Sequence, residues 1–234
     1  MPNLSMQTVI FDLDGTLADT SGDLIAAANA CFRALGHDDP LHPLDDALTA
    51  FHGGRAMLRL GFDRIGQGGG NWDEADIDRE FPNLLIHYGA NIDQHTRMYP
   101  GAIEAVKRLN ASGYAVGICT NKPEALAEQL LGQLGIRDLF ASMIGADTLP
   151  TRKPDPAPYL AAVRQAGGDP ARSLIIGDTI TDLNTARSVG VPCVLVGFGP
   201  EGQGVARLDP DAMLDHFDQL QDVVQRLIGV PVQA

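Results

Sequence analysis

Short runs of apolar residues, uninterrupted by polar ones, recur along the chain. They lie at residues 9–11, 115–119, 143–145, 174–176 and 193–196, and Thr8, which also has a high strand propensity, extends the first of them. A strand that is covered on both faces is apolar at every position, as in a parallel sheet packed between helices. We therefore predict five buried strands of a parallel sheet at these positions.

The segments between these runs favour helices. Beyond residue 93, helices are expected at 101–109, 124–134, 156–166, 182–189 and 219–228, so that strands and helices alternate. This alternation predicts right-handed strand-helix-strand units. Between residues 17 and 92 no strand is predicted, and helices are expected at 21–35, 45–50, 57–65 and 73–88. In the first of these, Leu24, Ile25, Ala28 and Phe32 recur at three- and four-residue steps.

This helical block interrupts the alternation directly after the first strand. The predicted fold class is therefore α/β, with a parallel-sheet core at 1–17 and 93–234 and an α-helical cap domain inserted at 18–92. An insertion at this point lies above the end of the first strand and can act as a lid. Residues 66–70 are rich in glycine and are expected to form a flexible turn.

Two carboxylates follow the first strand, at Asp12 and Asp14, and Gly15 comes next. Ligands of parallel sheets bind beyond the carboxyl ends of the strands. If the backbone stays extended, Asp12 and Asp14 point to the same side. Two like charges so close either share a proton or require a cation. An ordinary polar turn explains the isolated tetrapeptide, but the longer string that ends in Thr16 and Leu17 favours a catalytic interpretation.

Later strand ends carry further polar groups. Thr120 and Asn121 open a helix, where a hydroxyl and backbone N–H groups suit phosphate oxygens or serve as a routine helix cap. Lys153 could place its ammonium group beside a transferring phosphoryl group, although an ordinary surface lysine is the commoner case.

Another carboxylate, Asp178, lies just after the strand at 174–176, and Asp182 follows at the start of a helix. Mg²⁺ prefers oxygen ligands such as these. Asp182 either binds metal through a water or caps its helix, and both interpretations stay open.

The composition limits the classes of partner that the protein can bind. The chain has 234 residues, is 44% hydrophobic and carries a formal net charge of −13. This charge argues against a nucleic-acid groove, and no stretch approaches the roughly 18 apolar residues of a membrane span. Three cysteines without a Cys-x-x-Cys pair are typical of buried free thiols. We expect a cytoplasmic protein, monomeric or homodimeric, that acts on a small molecule.

The four strand-end motifs together resemble those of the haloacid dehalogenase superfamily, in the order and spacing of that family. The matching strings are Asp12-Leu13-Asp14-Gly15-Thr16-Leu17, then Thr120, then Lys153-Pro154, then Gly177-Asp178 with the later Asp182. The Gly-Asp form and the inserted helices look most like the phosphoglycolate phosphatase-like subgroup. The resemblance implies a Rossmann-like core, Mg²⁺ as cofactor and a small phosphorylated metabolite as substrate.

The resemblance also implies roles. Asp12 would attack phosphorus, and Asp14 would act as general acid and then as general base. Asp12, Asp178 and the backbone carbonyl of Asp14 would hold Mg²⁺, with Asp182 as a further candidate. Thr120 and Lys153 would stabilise charge on the transferring group, and Lys153 is preferred to Arg152 because Lys153-Pro154 matches the third motif.

The candidate substrate-binding residues are Gly15, Thr16 and Asn121 in the core and His52 and Arg55 in the cap. An arginine fork can grip a substrate carboxylate, although an exposed Arg in the first turn of a helix is about equally expected.

Three alternatives remain open. A β-phosphoglucomutase-like enzyme usually has Glu-Asp where this chain has Gly177-Asp178. A dehalogenase lacks the aspartate that corresponds to Asp14. A phospho-accepting receiver domain has its aspartate on a middle strand and no inserted cap.

Overall fold

The computed structural model describes residues 6–66 and 71–231. The chain divides into two compact units, one formed by residues up to 18 and from 98 onward and the other by residues 19–97. The first unit contains six strands of one sheet, namely β1 (Met6–Phe11), β4 (Ala115–Cys119), β5 (Ser142–Ile144), β6 (Gly168–Gly177), β7 (Cys193–Val196) and β8 (Ala212–Leu214). Its helices are α5 (Ala102–Ala111), α6 (Glu124–Gln133), α7 (Pro156–Gln165), α8 (Ile180–Val189) and α9 (Leu220–Ile228).

The six strands form one sheet in the order β5-β4-β1-β6-β7-β8, and every recorded pairing is parallel. The central strand β1 pairs Phe11 with Ile118 on one side and with Ile176 on the other. Val9, Ile10 and Phe11 are fully buried, as expected for a strand with helices on both faces. The predicted α/β class is confirmed, and all five predicted strands are present.

Three details of the strand prediction are wrong. The edge strand β8 has only three residues, of which two are partly exposed, so it lacks the apolar run of a buried strand. Strand β6 begins at Gly168 rather than at residue 174. The prediction missed its first half because those residues are mostly polar and incompletely buried. Residues 18–19, where no strand is predicted, form the two-residue strand β2 (Ala18–Asp19), which pairs with β3 (Arg97–Met98).

The second unit is helical, with α1 (Ser21–Ala34), α2 (Ala47–Phe51), α3 (Gly54–Gly66) and α4 (Glu74–Ala90). Asp23 of α1 is buried and accepts three hydrogen bonds, from the backbone N–H groups of His95 and Thr96 and from the Thr96 hydroxyl. This contact ties the return segment to α1, and the unit extends to Arg97. Of the predicted turn at 66–70, residues 67–70 lie outside the described residues.

Cys31, Cys119 and Cys193 are buried free thiols, as predicted. Within the described ranges, none of the helices combines the length and apolar character that crossing a membrane requires.

Candidate active site

The first polar turn of the core follows β1 directly. The Asp12 backbone N–H donates to the carbonyl of Ile176 at 2.8 Å, which continues the pairing with β6 by one residue. The Asp12 Oδ1 atom accepts from the N–H of Leu13 at 2.7 Å. Gly15 then adopts φ 80°, a conformation that is costly for any residue with a Cβ, and its N–H donates to the carbonyl of Ala18. The local sequence therefore builds a tight loop that presents Asp12 at the end of the strand.

A buried lysine lies beside Asp12. Lys153 Nζ is 3.0 Å from Asp12 Oδ2 and 2.6 Å from Asp182 Oδ1, and its side chain is 1% exposed. Its backbone carbonyl accepts from the Asn121 side-chain amide at 3.0 Å. The neighbouring Arg152 is exposed, and the role of Lys153 as the catalytic cation stays a prediction.

Asp178 and Asp182 complete an acidic cluster with Asp12, in which one carboxylate oxygen from each lies within 4.8 Å of the others. The Thr16 hydroxyl is fully buried and donates to Asp178 Oδ1 at 3.0 Å. It therefore orients this carboxylate, and the contact of Thr16 with substrate stays a prediction.

Both oxygens of Asp182 have partners within the protein. Oδ1 accepts from Lys153, and Oδ2 accepts from the N–H and hydroxyl of Thr179 at the start of α8. Asp182 thus caps its helix and holds the lysine at once. A Cβ at Gly177 would overlap the Asp182 carboxyl group, so this geometry requires glycine in the Gly-Asp pair.

One lysine does not offset the three carboxylates. Burial raises the pKa of Asp12 to about 6; Lys153 opposes the shift, and the charges of Asp182 and Asp14 add to it. Burial, followed by the charges of Asp182 and Asp12, also raises the pKa of Asp178. Burial alone would lower the pKa of Lys153, but Asp12 and Asp182 raise it, so the ammonium stays charged. The cluster therefore has an excess of negative charge among largely buried side chains.

This excess fits a divalent cation. The donor atoms are carboxylate oxygens, which suit Mg²⁺ and not a soft metal. If all three carboxylates are ionised, Lys153 leaves two negative charges, which one Mg²⁺ would balance.

A second lysine at the site was not singled out from the sequence. Lys122 Nζ lies 2.7 Å from Oδ1 and 2.9 Å from Oδ2 of Asp14. The backbone N–H of Lys122 donates to the hydroxyl of Thr120, which is also buried. The position of Lys122 directly after the Thr120-Asn121 motif was the one sequence signal that it lies at the site. Its pairing with Asp14 could not be predicted from local sequence, because the two residues are 108 positions apart.

The two predicted residues of the helical insertion, His52 and Arg55, belong to the second unit. His52 is exposed at the end of α2. Arg55 lies in the first turn of α3, pairs with Asp78 at 2.6 Å and has its guanidinium 4.8 Å from the Phe81 ring centre. Gly53 before it has φ 95°, which allows the sharp turn between α2 and α3.

Comparison with known proteins gives a consistent result. A family model described as haloacid dehalogenase-like hydrolase matches residues 9–196. The chain is 40% identical over 229 residues to a phosphoglycolate phosphatase of Mesorhizobium japonicum, with 96% of this chain and 98% of the relative covered. It is 38% identical to a phosphoglycolate phosphatase of Agrobacterium fabrum, with 90% and 89% covered.

A solved structure shares the fold. The crystal structure of a predicted phosphoglycolate phosphatase from Haemophilus somnus 129PT matches with a TM-score of 0.82 and 27% identity, covering 94% of this chain and 98% of the other. The family match spans all four strand-end motifs and the residues between them. This chain therefore belongs to the haloacid dehalogenase-like hydrolases, and the resemblance noted from its motifs is confirmed.

Proposed function

We propose that this enzyme is a Mg²⁺-dependent phosphatase that hydrolyses a small phosphate monoester through an aspartyl-phosphate intermediate, with phosphoglycolate as the favoured substrate. The observation that carries the proposal is the buried pairing of Asp12 with Lys153 inside a cluster of carboxylates. Relatives that match nearly the whole chain bear the name phosphoglycolate phosphatase, which supports the choice of substrate.

In the first step, a carboxylate oxygen of Asp12 forms a bond to phosphorus. The bond between phosphorus and the ester oxygen breaks, and its electron pair goes to that oxygen. The protonated carboxyl group of Asp14 supplies the proton, so an alcohol leaves. Asp12 then carries the phosphoryl group as an acyl phosphate.

In the second step, water forms a bond to the same phosphorus. The Asp14 carboxylate takes a proton from this water, and the bond between phosphorus and Asp12 breaks. Inorganic phosphate leaves, Asp12 is again a carboxylate and Asp14 is again protonated.

The attack brings an anion to an anion, so positive charge at the site is essential. Lys153 supplies one such charge beside Asp12, and the Thr120 hydroxyl is a second donor for the transferring group. Asp12, Asp178 and the backbone carbonyl of Asp14 are the groups that would hold Mg²⁺, which lowers the electrostatic barrier when bound. We assign Asp182 to holding Lys153, since both its oxygens already have protein partners.

We assign substrate selection to the helical unit, as a cap, and to Arg55 in particular. Its ion pair with Asp78 is exposed, and exposed pairs contribute only about 0–1 kcal/mol. A substrate carboxylate can replace Asp78 at low cost and gain a charge-assisted hydrogen bond.

Arg55→Ala should raise KM for phosphoglycolate more than KM for an uncarboxylated ester of similar size. Arg59 is the matched control, because it also lies on α3 and forms an exposed ion pair, with Glu74. An equal change for both esters, or an equal effect of Arg59→Ala, would remove the assignment.

The reaction class is tested by phosphate release from a panel of small esters, with Mg²⁺ and with chelator, in the wild type and in Asp12→Asn. This substitution keeps the side-chain shape and removes the attacking charge. Magnesium-dependent release that disappears in Asp12→Asn is expected. Retained phosphate on an isomerised sugar would favour a mutase, and a long-lived aspartyl phosphate without turnover would favour a signalling domain.

A further inference from the structure

We infer that Lys122 is a positioning residue that holds the ionised Asp14 carboxylate in place to take a proton from the attacking water. The inference rests on the proposed function, because it assigns Lys122 a part in the step that Asp14 performs. Lys122 Nζ contacts both oxygens of Asp14, at 2.7 and 2.9 Å. A contact to both oxygens restrains the rotation of the carboxylate as well as its position.

This ion pair differs from an ordinary surface pair. The Lys122 side chain is 3% exposed and that of Asp14 is 20% exposed. Lysine is almost never so deeply buried unless it is paired. The sequence contains only three lysines, and Lys122 and Lys153 are both buried at this site while Lys107 is exposed on α5.

The backbone around Lys122 is fixed at two points. Its N–H donates to the Thr120 hydroxyl at 3.1 Å, and its carbonyl accepts from the N–H of Ala146 at 2.9 Å. The lysine therefore projects from a rigid segment at the end of β4. A rigid base is what a positioning residue needs, since an error of about 1 Å at a reacting group can cost 100-fold in rate.

The two buried lysines serve different carboxylates. Lys153 contacts Asp12 and Asp182, whereas Lys122 contacts Asp14. The terminal torsion of an aspartate is broad and is not restrained by rotamer preference alone. Asp14 lies directly before Gly15, in the loop after β1, and the contacts of Lys122 Nζ with both of its oxygens restrain the orientation of its carboxylate.

A double-mutant cycle tests the inference. The turnover number for an alkyl phosphate ester is measured in the wild type, Lys122→Met, Asp14→Asn and the double variant. If Lys122 acts through Asp14, Lys122→Met is slowed about 10- to 100-fold, and the double variant is no more than about threefold slower than Asp14→Asn. If the two losses multiply, Lys122 acts independently and the inference is overturned.

A second readout separates positioning from general damage to the site. p-Nitrophenyl phosphate has a leaving group that departs without a proton, so its pre-steady-state burst reports the attack of Asp12. In Lys122→Met the burst rate should fall much less than the steady-state rate on the alkyl ester. Equal falls would mean that the site as a whole is disrupted, which also overturns the inference.

Lys107→Met is the matched control, because it makes the same change at an exposed position and should leave both rates unchanged. If Lys122→Met does not fold, Lys122→Arg takes its place in the cycle, since it keeps the charge and moves the donor atoms. No turnover by the wild type on any ester would remove the proposed function and this inference with it. Turnover by the wild type with multiplying losses would remove the inference alone.

Discussion

Replacing Lys153 by methionine tests the charge balance of the buried cluster. The substitution keeps the length and apolar stem of the side chain and removes its ammonium group. Lys153 contacts Asp12 and Asp182 and is 1% exposed, so the carboxylates are left without their buried cation. Breaking a buried ion pair by removing one partner costs about 3–5 kcal/mol. For a chain of this size that lowers the melting temperature by about 6–20 °C.

The loss should depend on Mg²⁺ and on pH. In chelator we expect the full loss of unfolding free energy in Lys153→Met. Mg²⁺ should restore part of it, because it supplies positive charge to the same carboxylates. Burial raises the pKa of Asp12 from 3.8 to about 6 even with Lys153 present. A carboxyl group whose pKa is raised in the folded state destabilises that state progressively as pH rises from about 4 through 6. The deficit of the variant should therefore be smaller at pH 5 than at pH 7.5.

Thermal unfolding monitored by circular dichroism measures these differences, at both pH values and with either chelator or Mg²⁺. Lys107→Met serves as the control and should change stability by no more than about 0.5 kcal/mol. A deficit below about 1 kcal/mol in chelator would refute the argument that the cluster needs its lysine. A deficit that Mg²⁺ leaves unchanged would refute the argument that metal and lysine neutralise the same charge.

Three further outcomes are expected. Gly177→Ala should displace Asp182 and lower the free energy of unfolding by about 1–3 kcal/mol. The control is Gly132→Ala on α6, where a Cβ has open space, and this change should be neutral or stabilising in the same melting assay. Titration calorimetry should find weaker Mg²⁺ binding at pH 5 than at pH 7.5, because protons compete for Asp12; equal affinities would contradict this. Asp23→Ala removes three hydrogen bonds to a buried carboxylate and should cost about 2–4 kcal/mol in urea unfolding, and a loss under 0.5 kcal/mol would show that this contact does not stabilise the helical unit.

The motifs and most of the core strands were predictable because they are local. A continuous apolar run followed by a carboxylate marks both the burial of a strand and its end, which suffices for Asp12 and Asp178. The edge strand β8 was not predicted, because a short strand with one open side lacks a continuous apolar run. The first half of β6 escaped for the same reason, since its residues are polar and only partly buried.

Sequence alone therefore identifies carboxylates such as Asp12 and Asp178 at the carboxyl edge of the sheet, whereas the contacts of these side chains depend on the tertiary fold. The hydroxyl of Thr16, a candidate for substrate contact, donates a hydrogen bond to Asp178, and Lys122 contacts Asp14 across 108 residues of chain. Asp182 was left between metal binding and helix capping, and the structure adds contacts of its two oxygens with Lys153 and Thr179 that its sequence position does not reveal. Periodicity and spacing report the local backbone and its burial, whereas a side-chain pair also depends on how distant strands are ordered and packed in the sheet.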